Sequence, residues 1–167
     1  MTLYVLRHGI AVARSLHGSA NDAERPLTEK GMKKMRRIAR AMKREGIAVD
    51  AILSSPFRRA RETAAIVAEE CARKVSPVLS PHLKVGGKPA ALLADINGRF
   101  ARRQRILLVG HEPYLSRMIS MLVSGKEGVP MTLKKGGLCK LSVESLRYGR
   151  CATLEWLMGP AQILRGK

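Results

Sequence analysis

The sequence predicts an α/β fold: a mostly parallel central sheet with helices on both faces, closed by a C-terminal antiparallel hairpin. Three observations predict it. Short apolar, β-rich runs alternate with helical patterns through most of the chain. The runs at 2–6, 51–54 and 105–109 have no polar alternation, as expected of strands covered on both faces. Near the C-terminus "LCKLSVESL" and "ATLEWLM" alternate instead, with "RYGR" between them, the pattern of a hairpin.

Each element has a local reason. "TLYVL" is short, apolar and β-rich. Residues 9–27 read as a loop, long enough to suggest a functional one. Thr28 is a good N-cap for a helix running to about Glu45, and Gly46 supplies its stop. Met32, Met35, Ile38, Ala39 and Met42 recur at helical spacing as its buried stripe, opposite Lys30, Lys33, Lys34, Arg36, Arg37, Arg40, Lys43 and Arg44. Ser55 and Pro56 suit the cap and first position of a helix to about Arg73, with Ala60, Ala64, Ile66, Val67 and Cys71 inward. "PVLSPHL" is a weak strand broken by Pro81. "KPAALLADINGRFARR" is a helix weakened at Asn97-Gly98. "RILLVGHE" contains the clearest buried strand, and a helix from Glu112 or Pro113 runs to about Val123, ended by Ser124-Gly125.

Composition bounds the possibilities. A chain of 167 residues, 46% of them apolar, is long and apolar enough for one domain with a core, here spanning 1–167. The 31 Lys and Arg against 13 Asp and Glu leave a net charge of +18, which favours anionic partners or serves as a solvated basic surface. Cys71, Cys139 and Cys151 are odd in number and show no CxxC, so no disulfide framework or zinc site is expected. "TLYVL" is too short for a signal peptide, and no apolar run is long enough to span a membrane. These features suggest a cytoplasmic protein with reduced thiols and no membrane partner.

The chemistry gathers at the carboxyl ends of three predicted strands. Arg7-His8-Gly9 ends the first, Ser54-Ser55-Pro56-Phe57-Arg58-Arg59 the second, and Gly110-His111-Glu112-Pro113 the one near 109. Open α/β sheets bind ligands along that edge, so the clusters are expected to converge. Two imidazoles with two or more guanidiniums suit a phosphoryl group, because arginine forks donate paired hydrogen bonds to its oxygens at any working pH. Helix N-termini after Ser55 and His111 would add backbone N–H groups. A neutral His8 can attack phosphorus through one nitrogen if a backbone carbonyl holds the proton on the other. Gly9 would let the chain turn sharply to bring that carbonyl close, and surrounding cations would keep His8 neutral.

"LRHG", "SSPFRRARET" and "VGHEP", in that order, resemble the histidine phosphatase superfamily. The short length, "ERPLTEKG" and the late "GP" narrow the resemblance to its SixA-type phosphohistidine phosphatase branch, over roughly Leu3 to Pro160. The resemblance implies a phosphoglycerate mutase-like fold and a metal- and cofactor-independent phosphatase. His8 would be the nucleophile, Arg7 and Arg59 phosphate clamps, and His111 a second pocket histidine. Arg58 would be an insert facing outward and Arg25 a residue of the pocket rim. Substrate binding is assigned to Gly9 and Arg25. Many larger relatives place an acidic Glu after the third strand, where "SPHLKVGG" has His82 instead. Its lack tilts the reading toward P–N substrates such as phosphohistidine, whose imidazole relies less on an enzyme acid, or toward good leaving groups. Asp22, Glu24 and His82 remain candidates for that acid.

Blander readings stand beside these. His8 and His111 alone would be a strand-end and a helix-start histidine, and Arg59 alone would pair with Glu62 or stay solvated. His17 and His82 read as exposed loop histidines. Ser54 and Ser55 read as caps, since no GxSxG surrounds them. "KVGGK" and "KKGG" lack P-loop spacing and read as turns. Three functions follow: removal of phosphate from phosphohistidine of a signalling or phosphotransfer protein, hydrolysis of small phosphoesters or nucleotides, or binding of RNA or other anions with the pocket idle. The basic helix and "RFARRQR" suggest the last, but no RNA-recognition signature accompanies them.

Overall fold

The computed structural model describes residues 1–14 and 21–165. His17 lies outside them. Six strands form one sheet: β1 (Thr2–Arg7), β2 (Ala51–Ser54), β3 (Val78–Leu79), β4 (Arg105–Gly110), β5 (Leu138–Val143) and β6 (Ala152–Met158). Their order is β3-β2-β4-β1-β5-β6. β1, β4, β2 and β3 are parallel neighbours, while β5 pairs antiparallel with β1 and β6 antiparallel with β5. The sheet is the mixed α/β type the sequence predicts.

Side chains of a strand alternate between faces, so the apolar strands feed two cores. Leu3, Val5, Leu53, Ile106 and Leu108 point to one core, with helices α3 (Pro89–Arg99) and α4 (Tyr114–Ser124). Tyr4, Leu6, Ile52, Leu107 and Val109 point to the other, with α1 (Glu29–Arg44) and α2 (Arg58–Cys71). A fully buried leucine of this kind contributes about 1.5–3 kcal/mol. A short helix that the local pattern did not reveal, α5 (Pro160–Arg165), follows β6 and buries Ile163 in the α1 core. Among the described residues no helix is long and apolar enough to cross a membrane, and no group of three His, Cys, Asp or Glu could hold a metal ion.

Several local expectations hold. Thr28 Oγ1 caps α1 by accepting from Gly31 N at 2.9 Å, and Gly125 takes a left-handed φ of 83° after α4. Three differ. Met32 is exposed, although Ala39, seven residues on and on the same face, is buried; that face is covered only beyond the first turn. α3 runs unbroken through Asn97-Gly98, where Asn97 Nδ2 donates to Leu146 O at 2.8 Å. α2 begins at Arg58, not Pro56, because Ser55 N still donates to Val109 O of β4 at 2.9 Å and prolongs the strand. Cys71 at its end is half-buried, and its Sγ reaches Ile47 O at 3.4 Å.

Candidate active site

The strand order sets β4 between β1 and β2, so the three clusters become neighbours along one edge. His8 N donates to Gly110 O at 3.1 Å and joins the first cluster to the third. His8 is buried, with Nδ1 2.7 Å from Gly9 O and Nε2 3.3 Å from Arg59 Nε. A carbonyl only accepts and a guanidinium only donates. The ring is therefore neutral, with its proton on Nδ1 and its lone pair on Nε2. Burial pushes its pKa down to about 3, and the charges of Arg59, Arg7 and Lys135 push the same way. Burial, more than the neighbouring cations, keeps His8 neutral.

His111 is also buried, its ring centroid 5.0 Å from that of His8 and 5.0 Å from that of Phe57. Its Nε2 meets Ser55 Oγ at 2.8 Å, while its Nδ1 is buried without a partner. Burial, then the charges of neighbours including His8 and Arg59, lowers its pKa to about 3. Arg7 spends Nη1 on Leu133 O at 3.0 Å, and its Nε is buried and unpartnered. Arg59 is buried, stacked 5.1 Å over Phe57. Its terminal nitrogens both hold Asp22: Nη1 donates to the backbone O at 2.6 Å and Nη2 to Oδ2 at 3.0 Å. The set is thus compact and anion-seeking, with two buried nitrogens still unmatched.

A model of the histidine phosphatase superfamily (branch 1) matches residues 3–84. An uncharacterized protein of Picosynechococcus is 35% identical over 148 residues, 84% of either chain. The phosphohistidine phosphatase SixA of Escherichia coli is 27% identical over 171 residues, covering 100% of this chain and 99% of its own. The chain belongs to the histidine phosphatase superfamily, in its SixA-type branch. It is a phosphatase acting on phosphorylated substrates. The fold agrees: a structure of the protein histidine phosphatase SixA complexed with tungstate superposes with a TM-score of 0.82 at 24% identity, over 96% of this chain and 98% of that one.

Several residues of this phosphatase have a place the sequence did not reveal. Gly9 does not make a left-handed turn, since its φ is not positive; a methyl group there would lie 2.6 Å from Met35 Cγ, so close packing demands the glycine. Arg25 touches Asp22 and Val12 O, each at 2.7 Å, and reaches the pocket only through Asp22. Arg58 faces outward as expected, but it is Arg58 that holds Glu62, at 2.8 Å, the partner considered for Arg59. Ser55 binds the pocket histidine, where capping alone was expected. Thr63 accepts from Gly9 N at 3.1 Å and donates to Arg59 O at 2.7 Å, tying α2 to the first motif. "KKGG" is a turn, but Gly136 N donates to Arg7 O at 3.0 Å and His8 O at 3.2 Å, so the turn braces the site. The one available signal for Ser55 and Phe57 was their place in the same strand-end cluster as Arg59.

The acid candidates sort by charge. Burial pushes the Asp22 pKa up, but Arg59 and Arg25 outweigh it and hold the carboxyl at about 2. A group so acidic carries no proton to give near neutral pH. Glu24 is exposed beside Arg61 at 3.5 Å. His82 is half-buried in a 3₁₀ turn, Pro81–Leu83, after β3.

Proposed function

We propose that the protein is a phosphohistidine phosphatase that carries the phosphoryl group on His8 Nε2. The observation that carries this reading is the locked tautomer of His8, held by Gly9 O at one nitrogen and Arg59 Nε at the other. The lone pair on Nε2 attacks phosphorus as the substrate P–N bond breaks. The leaving imidazole keeps that electron pair and departs neutral with a proton from solvent or from its own protonated form. Water then attacks the phosphoryl group on His8, its P–N bond breaks, and inorganic phosphate leaves.

Charge placement supplies most of the help that such transfer needs. Arg7 Nε and His111 Nδ1 are unmatched nitrogens of the motif residues and would donate to phosphate oxygens. Ser55 Oγ already accepts from Phe57 N at 3.3 Å, and its own proton can serve His111 Nε2. His111 then carries its proton on Nδ1, as a donor to the phosphoryl group. Arg59 completes the clamp when the phosphate takes its terminal nitrogens in exchange for Asp22. The ionised state of Asp22 supports this substrate class. Asp22 is ionised, so a poor alkoxide would depart without help from it, whereas an imidazole would not need it.

The test is a rate comparison of a histidine-phosphorylated protein with an aryl phosphate, using wild type and His8→Ala. The expected result is a higher kcat/KM on the phosphohistidine protein and no turnover of either substrate by His8→Ala. Turnover surviving in His8→Ala sinks the nucleophile assignment. A clear preference for the ester sinks the substrate assignment and favours the small-phosphoester reading.

A further inference from the structure

The two flanks of α1 carry charge in different ways. On one, Arg36 and Arg40 are neutralised by α2: Arg36 meets Glu69 at 2.9 Å and Glu70 at 3.3 Å, and Arg40 meets Glu70 at 2.9 Å. On the other, Lys30, Lys33, Lys34 and Arg37 follow helical spacing along one stripe. There Lys33 pairs with Glu29 at 2.5 Å, while Lys30, Lys34 and Arg37 have no acidic partner among the described residues. This stripe rims a groove of about 590 Å³ against α5, which contributes Ala161 and Leu164. An apolar floor with a cationic rim fits an acidic amphipathic segment better than a bare polyanion.

Two segments of the chain run near both the groove and the pocket. Gly31, next to Lys30, sits so close to Ile10 O that a side chain there would collide with it, so the start of α1 abuts the chain just after Gly9. From the other side, the turn carrying Lys134 and Lys135 leads from the pocket to α5. Its Gly136 bonds Arg7 O and His8 O, and a methyl group on Gly136 would lie 3.7 Å from Pro160 Cγ at the head of α5. Lys134 Cδ lies 3.9 Å from where a side chain of Gly159 would begin. Basic residues thus run from the edge of the pocket to the groove, which extends about 10 Å along α1 at 1.5 Å per residue.

We propose that the groove between α1 and α5 docks an acidic amphipathic segment of the phosphorylated protein whose phosphohistidine enters the His8 pocket. The inference rests on the phosphohistidine reading for its substrate, but the docking itself is measured without turnover.

The experiment compares wild type with the triple variant Lys30→Glu, Lys34→Glu, Arg37→Glu. The milder Lys30→Gln, Lys34→Gln, Arg37→Gln is used if the reversal unfolds the chain. Fluorescence anisotropy measures binding of a labelled, unphosphorylated acidic histidine-phosphotransfer protein, with double-stranded DNA and phosphatidylserine vesicles as competing arms. The variant is expected to weaken binding of the acidic protein by roughly tenfold or more. It should raise KM for the phosphorylated form by a similar factor and leave kcat/KM for free phosphohistidine unchanged. Equal binding by wild type and variant overturns the proposal, as does failure of wild type to bind. Loss of rate on free phosphohistidine also overturns it, because the charges then act on the pocket. Tighter, stripe-dependent binding to DNA or vesicles than to the acidic protein overturns it in favour of those partners. If the acidic protein binds through the stripe but its phosphohistidine is not hydrolysed, the docking stands and the substrate reading fails.

Discussion

The His8 side and the His111 side of the pocket hold the same ring in two different ways. His8 has both nitrogens engaged, one by a carbonyl and one by a guanidinium N–H. His111 has one nitrogen on a hydroxyl and the other buried and unmatched. Both sit near a pKa of about 3, chiefly through burial. Protonation state therefore does not distinguish them, whereas hydrogen bonding does. A ring whose two partners dictate its tautomer presents a defined lone pair. A ring held at one end by a rotatable hydroxyl can present a proton to whatever oxyanion arrives.

Breaking each side separately tests the contrast. The largest effect is expected for His8→Ala, with turnover lower by roughly 10³-fold or more, against about 10²-fold for His111→Ala. Rapid-quench trapping of labelled phosphate separates them: His111→Ala still accumulates phosphoenzyme, and His8→Ala forms none. Label on His8→Ala protein would show that another residue is the nucleophile.

Ser55→Ala acts mainly on the His111 side, where it removes the hydroxyl that meets Nε2. Its kcat is expected to fall by roughly tenfold, with KM for phosphohistidine nearly unchanged. An equal loss in a His111→Ala background would mean that Ser55 acts elsewhere, and a double-mutant cycle measures this directly.

Asp22→Asn probes the clamp. The amide keeps the shape of Asp22 but loses the charge that holds Arg59 and Arg25. Inhibition by inorganic phosphate should tighten by up to roughly tenfold, as expected when a competing carboxylate is removed. A weaker inhibition constant would instead make Asp22 a support that orients Arg59.

On activity, the smallest expected effect is that of pH. Unfolded histidine titrates near pH 6.5. Both pocket histidines titrate near 3 when folded, so between those limits the unfolded chain binds more protons. Their contribution leaves stability intact above about pH 6.5 and erodes it as pH falls toward 3. Over the same window kcat/KM should show no acid limb from His8 near 6.5. Thermal melts and rate profiles of wild type beside His111→Gln check both points, since that variant should lose part of the acid sensitivity.

What the sequence disclosed follows from where its information is local. β1 and β4 were legible because a run covered on both faces must be apolar throughout. α1 was legible because Thr28 and the Met stripe mark its start and its inward face. The start of α2 was misplaced for the opposite reason. Ser55-Pro56 is a good local cap, but Ser55 is claimed by Val109 and His111, more than fifty residues away. The hold of Arg59 on Asp22, 37 residues apart, had the same character: it exists only once the loop closes. The motif histidines and arginines were visible as residue types at strand ends, but the unmatched Nδ1 of His111 was not.

The position of β4 governs how the molecule comes into being. β1 and β2 are not neighbours; the strand that joins them ends more than fifty residues after β2 is complete. Emerging from a ribosome, the chain presents His8 and Arg59 early, yet their two strands still have open edges. Those edges are the template on which nascent chains would pair with one another. Only when residues 105–111 insert does the sheet become continuous, and the same event delivers His111. Meeting of the two histidines and joining of β1 to β2 are one step, so a chain stalled before that segment is without the pocket and carries sticky strand edges.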